Sequence, residues 1–283
     1  MSNIIDGKEL AKEIKDSLKE EVVKIKEKGI IPKLAVIMVG NDPASKVYVK
    51  NKSKACEYVG IEFEEHILEE TIKMQELLSL IEKLNNDSKI YGILLQAPIP
   101  KGLDINLAFK TIDPKKDVDG FHPMNVGKLT LGQDTFIPCT PYGIIKMIEK
   151  YNIETEGKNI VILGRSNIVG KPLIQCMLEK NGTVTVCLSK TKDIKEIAKN
   201  ADILISAIGK PKFVTEDMVK KGAVVIDVGI NRSEDGKIIG DVDFEKVEQK
   251  TSYITPVPGG VGPMTIAMLM NNVVKATKNI EQI

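Results

Sequence analysis

A tyrosine and a lysine four residues apart could form a proton-transfer site on a helix. The surrounding segment is predicted to be helical, so the side chains of Tyr48 and Lys52 share one face. A lysine transfers protons near neutral pH only if its pKa falls from about 10.4 to about 7, which costs about 4.6 kcal/mol. Burial or a nearby cation would lower the pKa in this way. The alternative is a solvated lysine face, which is our interpretation of the other lysines on this helix.

Two further polar side chains could join such a site. Gln96 directly follows the apolar run Tyr91–Leu95, and Asp119 lies in the sequence Lys116-Asp117-Val118-Asp119-Gly120. Both belong to a Pro- and Gly-rich stretch that reaches Pro141, and so long a loop usually forms an active-site wall or a linker. Taken alone, the segment around Asp119 could also be a solvated turn.

A second Pro/Gly-rich segment precedes the predicted C-terminal helix. It contains Pro258, Gly259, Gly260 and Thr265. Because glycines allow the backbone to approach a ligand closely, this segment is a candidate substrate-binding loop. The alternative is a stiff hinge between two domains.

A dinucleotide site is predicted where the strand Ile160–Leu163 runs into Gly164, Arg165 and Ser166 and then a helix. Such a junction presents free N–H groups and a positive helix end, which suit a pyrophosphate. The glycine spacing differs from G-x-G-x-x-G, so the pattern could also be an ordinary glycine-rich turn.

The next strand, Thr183–Leu188, indicates which dinucleotide would bind. NAD-specific sites place an acidic residue near this point for the ribose hydroxyls, whereas here Ser189 and Lys190 follow the strand. These side chains and Arg165 would donate to a 2′-phosphate, which favours NADP over NAD.

Composition narrows the class of protein. The 283 residues carry a formal net charge of +1, so no domain-wide basic field favours nucleic acid or an anionic membrane. Four cysteines without C-x-x-C spacing are typical of reduced thiols in the cytoplasm, and no apolar leader or membrane span is evident. Two histidines do not suffice for a multi-His metal site in one chain, so we expect no metal.

Strands and helices alternate in both halves of the chain, which predicts parallel sheets and an α/β fold with two domains. We expect an N-terminal catalytic domain at 1–139, completed by a C-terminal helix at about 263–283. Residues 140–262 would form a Rossmann-like dinucleotide-binding domain, with the active-site cleft between the two domains.

Five motifs occur in an order that resembles one enzyme family over essentially the whole chain. They are Tyr48-x-x-x-Lys52, Gly92-Ile-Leu-Leu-Gln96-x-Pro98, Lys116–Gly120, Gly164-Arg-Ser-x-Ile-Val-Gly170 and Pro258–Thr265. Together they closely resemble the methylenetetrahydrofolate dehydrogenase/methenyltetrahydrofolate cyclohydrolase family, in its short bifunctional form without a synthetase domain. Members oxidise 5,10-methylenetetrahydrofolate with a nicotinamide cofactor and hydrolyse the methenyl product to 10-formyltetrahydrofolate.

The resemblance implies a role for each candidate residue. Lys52 matches the lysine that assists water attack and proton transfer, Tyr48 the aromatic residue that packs on folate, and Gln96 the lysine's partner. Asp119 matches the acid that binds the pterin amino group, and the 258–265 loop matches part of the folate wall. The cofactor contacts match Gly164, Arg165, Ser166, Ser189 and Ile230. Many relatives have His before the matching serine, where this chain has Leu188. The resemblance also implies a homodimer.

Two other classes of protein share parts of this pattern. Another two-domain NADP dehydrogenase, acting on a carbocyclic or amino-acid substrate, would have the same architecture. A cofactor-sensing module with an inert second domain would be expected to lack Lys52 or Asp119. The set of Tyr48, Lys52, Gln96 and Asp119 favours the folate enzyme over both.

Overall fold

Helices and strands alternate along the chain in the computed structural model, which describes residues 3–233 and 235–283. The helices are α1 (Gly7–Glu27), α2 (Pro43–Val59), α3 (Met74–Asn86), α4 (Ile105–Thr111), α5 (Pro123–Thr130), α6 (Cys139–Lys150), α7 (Gly170–Glu179), α8 (Ile194–Lys199), α9 (Phe244–Val247) and α10 (Val261–Glu281). The strands are β1 (Asn3–Ile4), β2 (Lys33–Val39), β3 (Glu62–Leu68), β4 (Gly92–Leu95), β5 (Asn159–Leu163), β6 (Thr183–Cys187), β7 (Ile203–Ser206), β8 (Val224–Asp227), β9 (Asn231–Arg232), β10 (Ile238–Ile239) and β11 (Tyr253–Ile254).

The chain forms two compact units, each built from separated stretches of sequence. The first unit comprises Lys12–Cys139 and Ile266–Ile283, and the second comprises the residues up to Ala11 and Thr140–Thr265. The first unit therefore begins later than the predicted catalytic domain, which started at residue 1. The reason is a long-range pairing: β1 runs parallel to β11, so the start of the chain joins the sheet of the second unit.

A three-stranded parallel sheet in the order β3-β2-β4 forms the centre of the first unit. β2 is buried along nearly its whole length, as its unbroken apolar run predicts for a strand covered on both faces. Leu77, Ile81 and Leu84 recur at helical spacing on α3 and are packed in one apolar cluster with β2 and β4. Because this packing fixes the position of β4, it also fixes the position of Gln96, the residue that follows the strand.

A six-stranded sheet in the order β1-β11-β8-β7-β5-β6 forms the second unit, and its adjacent strands are parallel. The chain leaves β5 for β6 on one side, and β7 and β8 lie on the other. The order of the strands thus reverses at β5. In doubly wound sheets ligands bind outside the carboxyl ends of the strands at such a switch point, and Gly164 directly follows β5.

The Pro- and Gly-rich stretch after Gln96 is more regular than the sequence predicts. It holds two helices, α4 and α5, and α5 lies where loop was predicted. His122 caps α5 by accepting a hydrogen bond from the N–H of Met124 at 3.0 Å, and Pro123 occupies its first turn. Proline at this position favours a helix start, so this proline indicated the helix that was missed. Within the described ranges, no helix has the length and apolar character required to cross a bilayer.

Candidate active site

Helix α2 and the end of β4 bring Lys52 and Gln96 together. Lys52 Nζ donates a 2.9 Å hydrogen bond to Gln96 Oε1. The Gln96 Nε2 group donates in turn to the backbone oxygen of Ala97 at 2.6 Å, which fixes the carbonyl end of the amide towards the lysine. The partner of the lysine is therefore a neutral acceptor, which holds the ammonium in place without adding a negative charge.

The acid–base balance of the site depends on Lys52 and Asp119. Burial lowers the pKa of Lys52, although the charge of Asp119 opposes this change. Burial likewise raises the pKa of Asp119, opposed by Lys52 and by a hydrogen bond with Cys139. Burial raises the pKa of Cys139 well above its ordinary value, so the thiol stays protonated and can donate. Removal from water therefore moves both the lysine and the carboxyl group towards their neutral forms.

Lys116 anchors the segment that carries Asp119. Its side chain is 7% exposed, and Nζ donates to the backbone oxygens of Leu84, Asn85 and Asp87 at 3.2, 2.7 and 2.7 Å. These oxygens lie at the C-terminal end of α3, where helix carbonyls lack partners and a positive charge is favoured. Lys116 thus caps the C-terminal end of α3 and has a structural role.

Asp117 organises the same segment and makes its turn a rigid one. Its carboxylate accepts from the backbone N–H groups of Gly120, Phe121 and His122 at 3.1, 3.2 and 2.8 Å, and from Asn125 Nδ2 at 2.8 Å. Gly120 has φ of +75°, and a Cβ there would lie 2.7 Å from the Phe136 oxygen. With Asp117 2% exposed, the interpretation of this segment as a solvated turn is wrong.

Sequence reasoning gave no role to several buried polar residues of the first unit, among them Asn272 and Ser45. Asn272 on α10 donates from Nδ2 to the backbone oxygens of Val118 and Ile137 at 2.8 and 3.1 Å, which ties the Asp119 segment to the C-terminal helix. Ser45 is 2% exposed, and its hydroxyl has no hydrogen-bond partner among the described residues. Its position seven residues before Lys52 puts it on the same face of α2, a spacing that could have identified it.

Tyr48 lies one turn before Lys52 on α2, as the spacing predicts. The tyrosine is 41% exposed, which leaves much of its ring accessible. Tyr48, Lys52, Gln96 and Asp119 all belong to the first unit.

The turn after β5 has the backbone geometry of a ligand cradle. Gly164 has φ of +110°, and a Cβ there would lie 2.5 Å from the Ala207 oxygen. A Cβ on Gly170 would lie 2.6 Å from the Gly164 oxygen, so α7 must start with glycine to pack against the turn. Ser166 Oγ accepts from the N–H of Val169 at 3.2 Å and so helps to begin the helix. These requirements fit a pyrophosphate-binding turn at the switch point of the sheet.

The side chains expected to contact the cofactor all lie in the second unit. Arg165, Ser166 and Ser189 are exposed, and Ile230, which follows β8, is 50% exposed. β6 ends at Cys187, and the next three residues provide a hydroxyl group on Ser189 and an ammonium group on Lys190 but no carboxylate. This donor set fits a 2′-phosphate better than free ribose hydroxyls.

Pro258, Gly259 and Gly260 lie in the loop before α10, and Thr265 lies near the start of α10. All four residues belong to the second unit. A Cβ on Gly260 would lie 2.6 Å from the Pro256 oxygen, and a Cβ on Gly7 would lie 1.9 Å from the Gly260 oxygen. The packing of the protein's own backbone therefore requires glycine at residue 260, whether or not a ligand binds. Thr265 Oγ1 lies 3.0 Å from Thr140 Oγ1.

Metal-ligating side chains are scattered. Across the described residues, no group of three or more His, Cys, Asp or Glu side chains could hold a metal ion. All four cysteines are free and buried.

Comparison with known families matches both parts of the chain. Residues 5–119 match the family described as tetrahydrofolate dehydrogenase/cyclohydrolase, catalytic domain. Residues 138–281 match the NAD(P)-binding domain of the same family.

Individual relatives are similar over nearly the whole chain. The bifunctional protein FolD of Agathobacter rectalis is 60% identical, over 98% of this chain and 100% of the relative. The crystal structure of the bifunctional FolD enzyme from Campylobacter jejuni superposes with a TM-score of 0.98 at 52% identity, covering 99% of both chains. The Trypanosoma brucei FolD enzyme, solved with NADP cofactor and an inhibitor, superposes with a TM-score of 0.96 at 34% identity, covering 100% of this chain and 99% of that one.

Proposed function

The chain belongs to the tetrahydrofolate dehydrogenase/cyclohydrolase family, and we propose that Lys52 is the proton-transfer group of its folate site. The protein is a bifunctional enzyme of folate one-carbon metabolism. It oxidises 5,10-methylenetetrahydrofolate to 5,10-methenyltetrahydrofolate with NADP+ and hydrolyses that product to 10-formyltetrahydrofolate. The observation that supports the assignment of Lys52 is its 2.9 Å hydrogen bond to Gln96, in surroundings that lower the lysine pKa.

Hydrolysis needs a base and then an acid. Neutral Lys52 accepts a proton from water as the water oxygen bonds to the methenyl carbon. The protonated lysine then gives this proton to N5 as the bond from that carbon to N5 breaks. The hydroxyl oxygen loses its remaining proton to solvent and becomes the carbonyl oxygen of the formyl group, which stays on N10. Gln96 keeps the lysine in position through both transfers. Because the methenyl substrate is a cation, its arrival lowers the pKa of Lys52 further, so the substrate helps to activate its own catalyst.

The folate is held by the remaining candidate residues. The ring of Tyr48 packs on the folate, and Asp119 accepts a hydrogen bond from the pterin amino group. Support for Asp119 comes from Asp117 and Lys116, whose hydrogen bonds hold the backbone of its segment in place.

The cofactor is NADP, and when bound it accepts the hydride from the methylene carbon. We assign the pyrophosphate to the turn of Gly164 and Ser166, and the 2′-phosphate to Arg165 and Ser189. Ile230 provides an apolar contact. The glycine geometry at Gly164 and the lack of a carboxylate after β6 support this arrangement. Arg165→Ala is expected to weaken NADP+ binding about 10- to 100-fold and to affect NAD+ much less, since it removes a charged hydrogen-bond donor.

We also propose that the enzyme is a cytoplasmic homodimer. β3 is an edge strand whose outer side pairs with no strand among the described residues, and its Ile67 is 54% exposed. An uncovered edge of this kind is a natural place for a second copy to pair. Four free thiols suit a reducing compartment. Sedimentation of the wild type and of Ile67→Glu tests the dimer, which is contradicted if both are monomers.

One coupled assay tests the function. The protein is mixed with methylenetetrahydrofolate and either NADP+ or NAD+, while the methenyl chromophore and reduced cofactor are followed by absorbance. We expect the methenyl signal to form with NADP+ and to decay faster than in buffer. A methenyl signal that decays only at the uncatalysed rate would indicate a dehydrogenase without hydrolysis. Formation of neither signal would favour a dehydrogenase for another substrate or a cofactor-sensing module.

A further inference from the structure

A buried carboxylate lies beneath two loops of the second unit and has no part in the chemistry described above. Asp241 is fully buried, and its two oxygens accept five hydrogen bonds. One oxygen accepts from Ser206 Oγ at 3.0 Å and from the N–H groups of Ile208 and Gly209 at 2.9 and 3.2 Å. The other accepts from the N–H of Lys210 and from Asn231 Nδ2, at 2.9 and 3.0 Å.

The donors come from two different loops of the sheet. Ser206 ends β7, and residues 208–210 form the loop that follows it. Asn231 is the first residue of β9, at the end of the loop 228–230 that follows β8, and lies directly after Ile230. Both loops lie at the carboxyl edge of the sheet, where ligands bind in doubly wound folds. One side chain therefore sets the backbone of two neighbouring loops at that edge.

Asp227 holds Asp241 in place from the other side. Its carboxylate accepts from the N–H groups of Gly229, Asp241 and Val242, each at 2.9 Å. The fit leaves no room for side chains: a Cβ on Gly229 would lie 2.2 Å from Asp241 Oδ1, and a Cβ on Gly240 would lie 1.9 Å from Asp227 Oδ2. The two aspartates and two glycines thus form one interlocked unit.

A side chain that only filled space at residue 241 would not need two oxygens that accept hydrogen bonds. All five donors are neutral N–H or O–H groups, and they converge on both oxygens of one carboxylate. An ionised carboxylate satisfies them, whereas an amide would turn its own NH2 against one set of donors. The carboxylate is therefore specific to the shape of these loops.

We propose that Asp241 is a positioning residue for the dinucleotide, acting through the 208–210 loop and through the Asn231 side chain next to Ile230. This inference rests on the NADP site proposed above. A change at Asp241 should therefore affect the two activities differently, because hydride transfer needs the dinucleotide and hydrolysis of the methenyl substrate does not.

The test compares wild type with Asp241→Asn in both reactions. We expect the KM for NADP+ and the Kd for NADPH, measured by titration calorimetry, to rise about 10- to 100-fold, since hydrogen bonds to a charged group are lost. Hydrolysis of supplied methenyltetrahydrofolate should stay within about twofold of wild type. Asp235→Asn, an exposed residue paired with Lys237, is the matched control and should change neither reaction.

A milder variant keeps the proposal testable if Asp241→Asn does not fold. Asn231→Ala removes one donor and leaves the carboxylate, and it should raise the KM for NADP+ several-fold with hydrolysis unchanged. An unchanged NADP+ KM in either folded variant overturns the inference, as does an equal loss of both activities. A wild type that hydrolyses the methenyl substrate but does not bind NADP+ instead overturns the proposed cofactor site.

Discussion

Lys52 Nζ lies 2.9 Å from Gln96 Oε1, so the lysine that we propose to transfer protons is held by a neutral amide. A carboxylate at the same distance would stabilise the ammonium and raise the lysine pKa. The amide of Gln96 orients the lysine side chain without adding a charge, while burial lowers the pKa of the lysine. The pair thus separates the positioning of the base from the control of its protonation.

Replacing the lysine should separate the two activities. Lys52→Met keeps the length of the side chain but removes the proton-transfer group, so we expect hydrolysis to fall about 10²- to 10⁴-fold. Hydride transfer should fall much less. Initial rates of both reactions measure this, with the exposed Lys50→Met on the same helix as the control. Equal losses of both rates would favour a mainly structural role for Lys52.

Replacing the amide partner should change the pH dependence of hydrolysis. In Gln96→Glu the added carboxylate favours the ammonium form, so the pKa of Lys52 rises. Because the neutral lysine is the active form, the rate at pH 7 falls and the rising limb of the pH–rate profile moves to higher pH. Gln96→Met removes the acceptor without adding charge. Gln96→Met should lower the rate of hydrolysis without moving the pH–rate profile to higher pH. A pH–rate profile of Gln96→Glu that matches the wild type would contradict the proposed role of the neutral amide.

Substitutions of two aspartates in one motif should affect different properties, namely folate binding for Asp119 and stability for Asp117. Asp119→Asn is expected to raise the KM for folate and leave the melting temperature nearly unchanged. Asp117→Asn instead places an amide NH2 against two of the four donors and should destabilise the protein by about 2–4 kcal/mol. Thermal unfolding and folate KM, measured on both variants, distinguish the roles. A large loss of stability in Asp119→Asn would count against its assignment to the ligand.

The glycine after β5 provides a test of the cofactor turn. Gly164→Ala combines a left-handed φ of +110° with a Cβ that would lie 2.5 Å from the Ala207 oxygen. We expect weaker NADP+ binding and a loss of about 2–4 kcal/mol in stability. Gly157→Ala is the control, because its φ is +69° but no atom lies within 4 Å of the added Cβ. That variant should cost about 1 kcal/mol and bind NADP+ normally. Equal behaviour of the two variants would show that the close contact at Gly164 is unimportant.

The local pattern of the sequence determined much of this protein. Apolar runs located β5 and β6 to within a residue, and the segment around Tyr48 and Lys52 was predicted to be helical, as α2 is. These elements are encoded by neighbouring residues. The junction at Gly164 was recognisable for the same reason: strand, turn and helix are consecutive. The shared face of Tyr48 and Lys52 also follows from spacing alone.

Tertiary structure decided what depends on distant partners. Asp117 and Asp119 are two residues apart and chemically identical, and only the donors gathered around Asp117 reveal it as the one that holds the loop. Asn272 contacts the backbone of Val118 across 154 positions of sequence. Asp241 likewise acts on donors from 10 to 35 residues away. Periodicity reports on neighbours along the chain, whereas a buried polar group is satisfied by whatever groups folding brings within 3 Å of it.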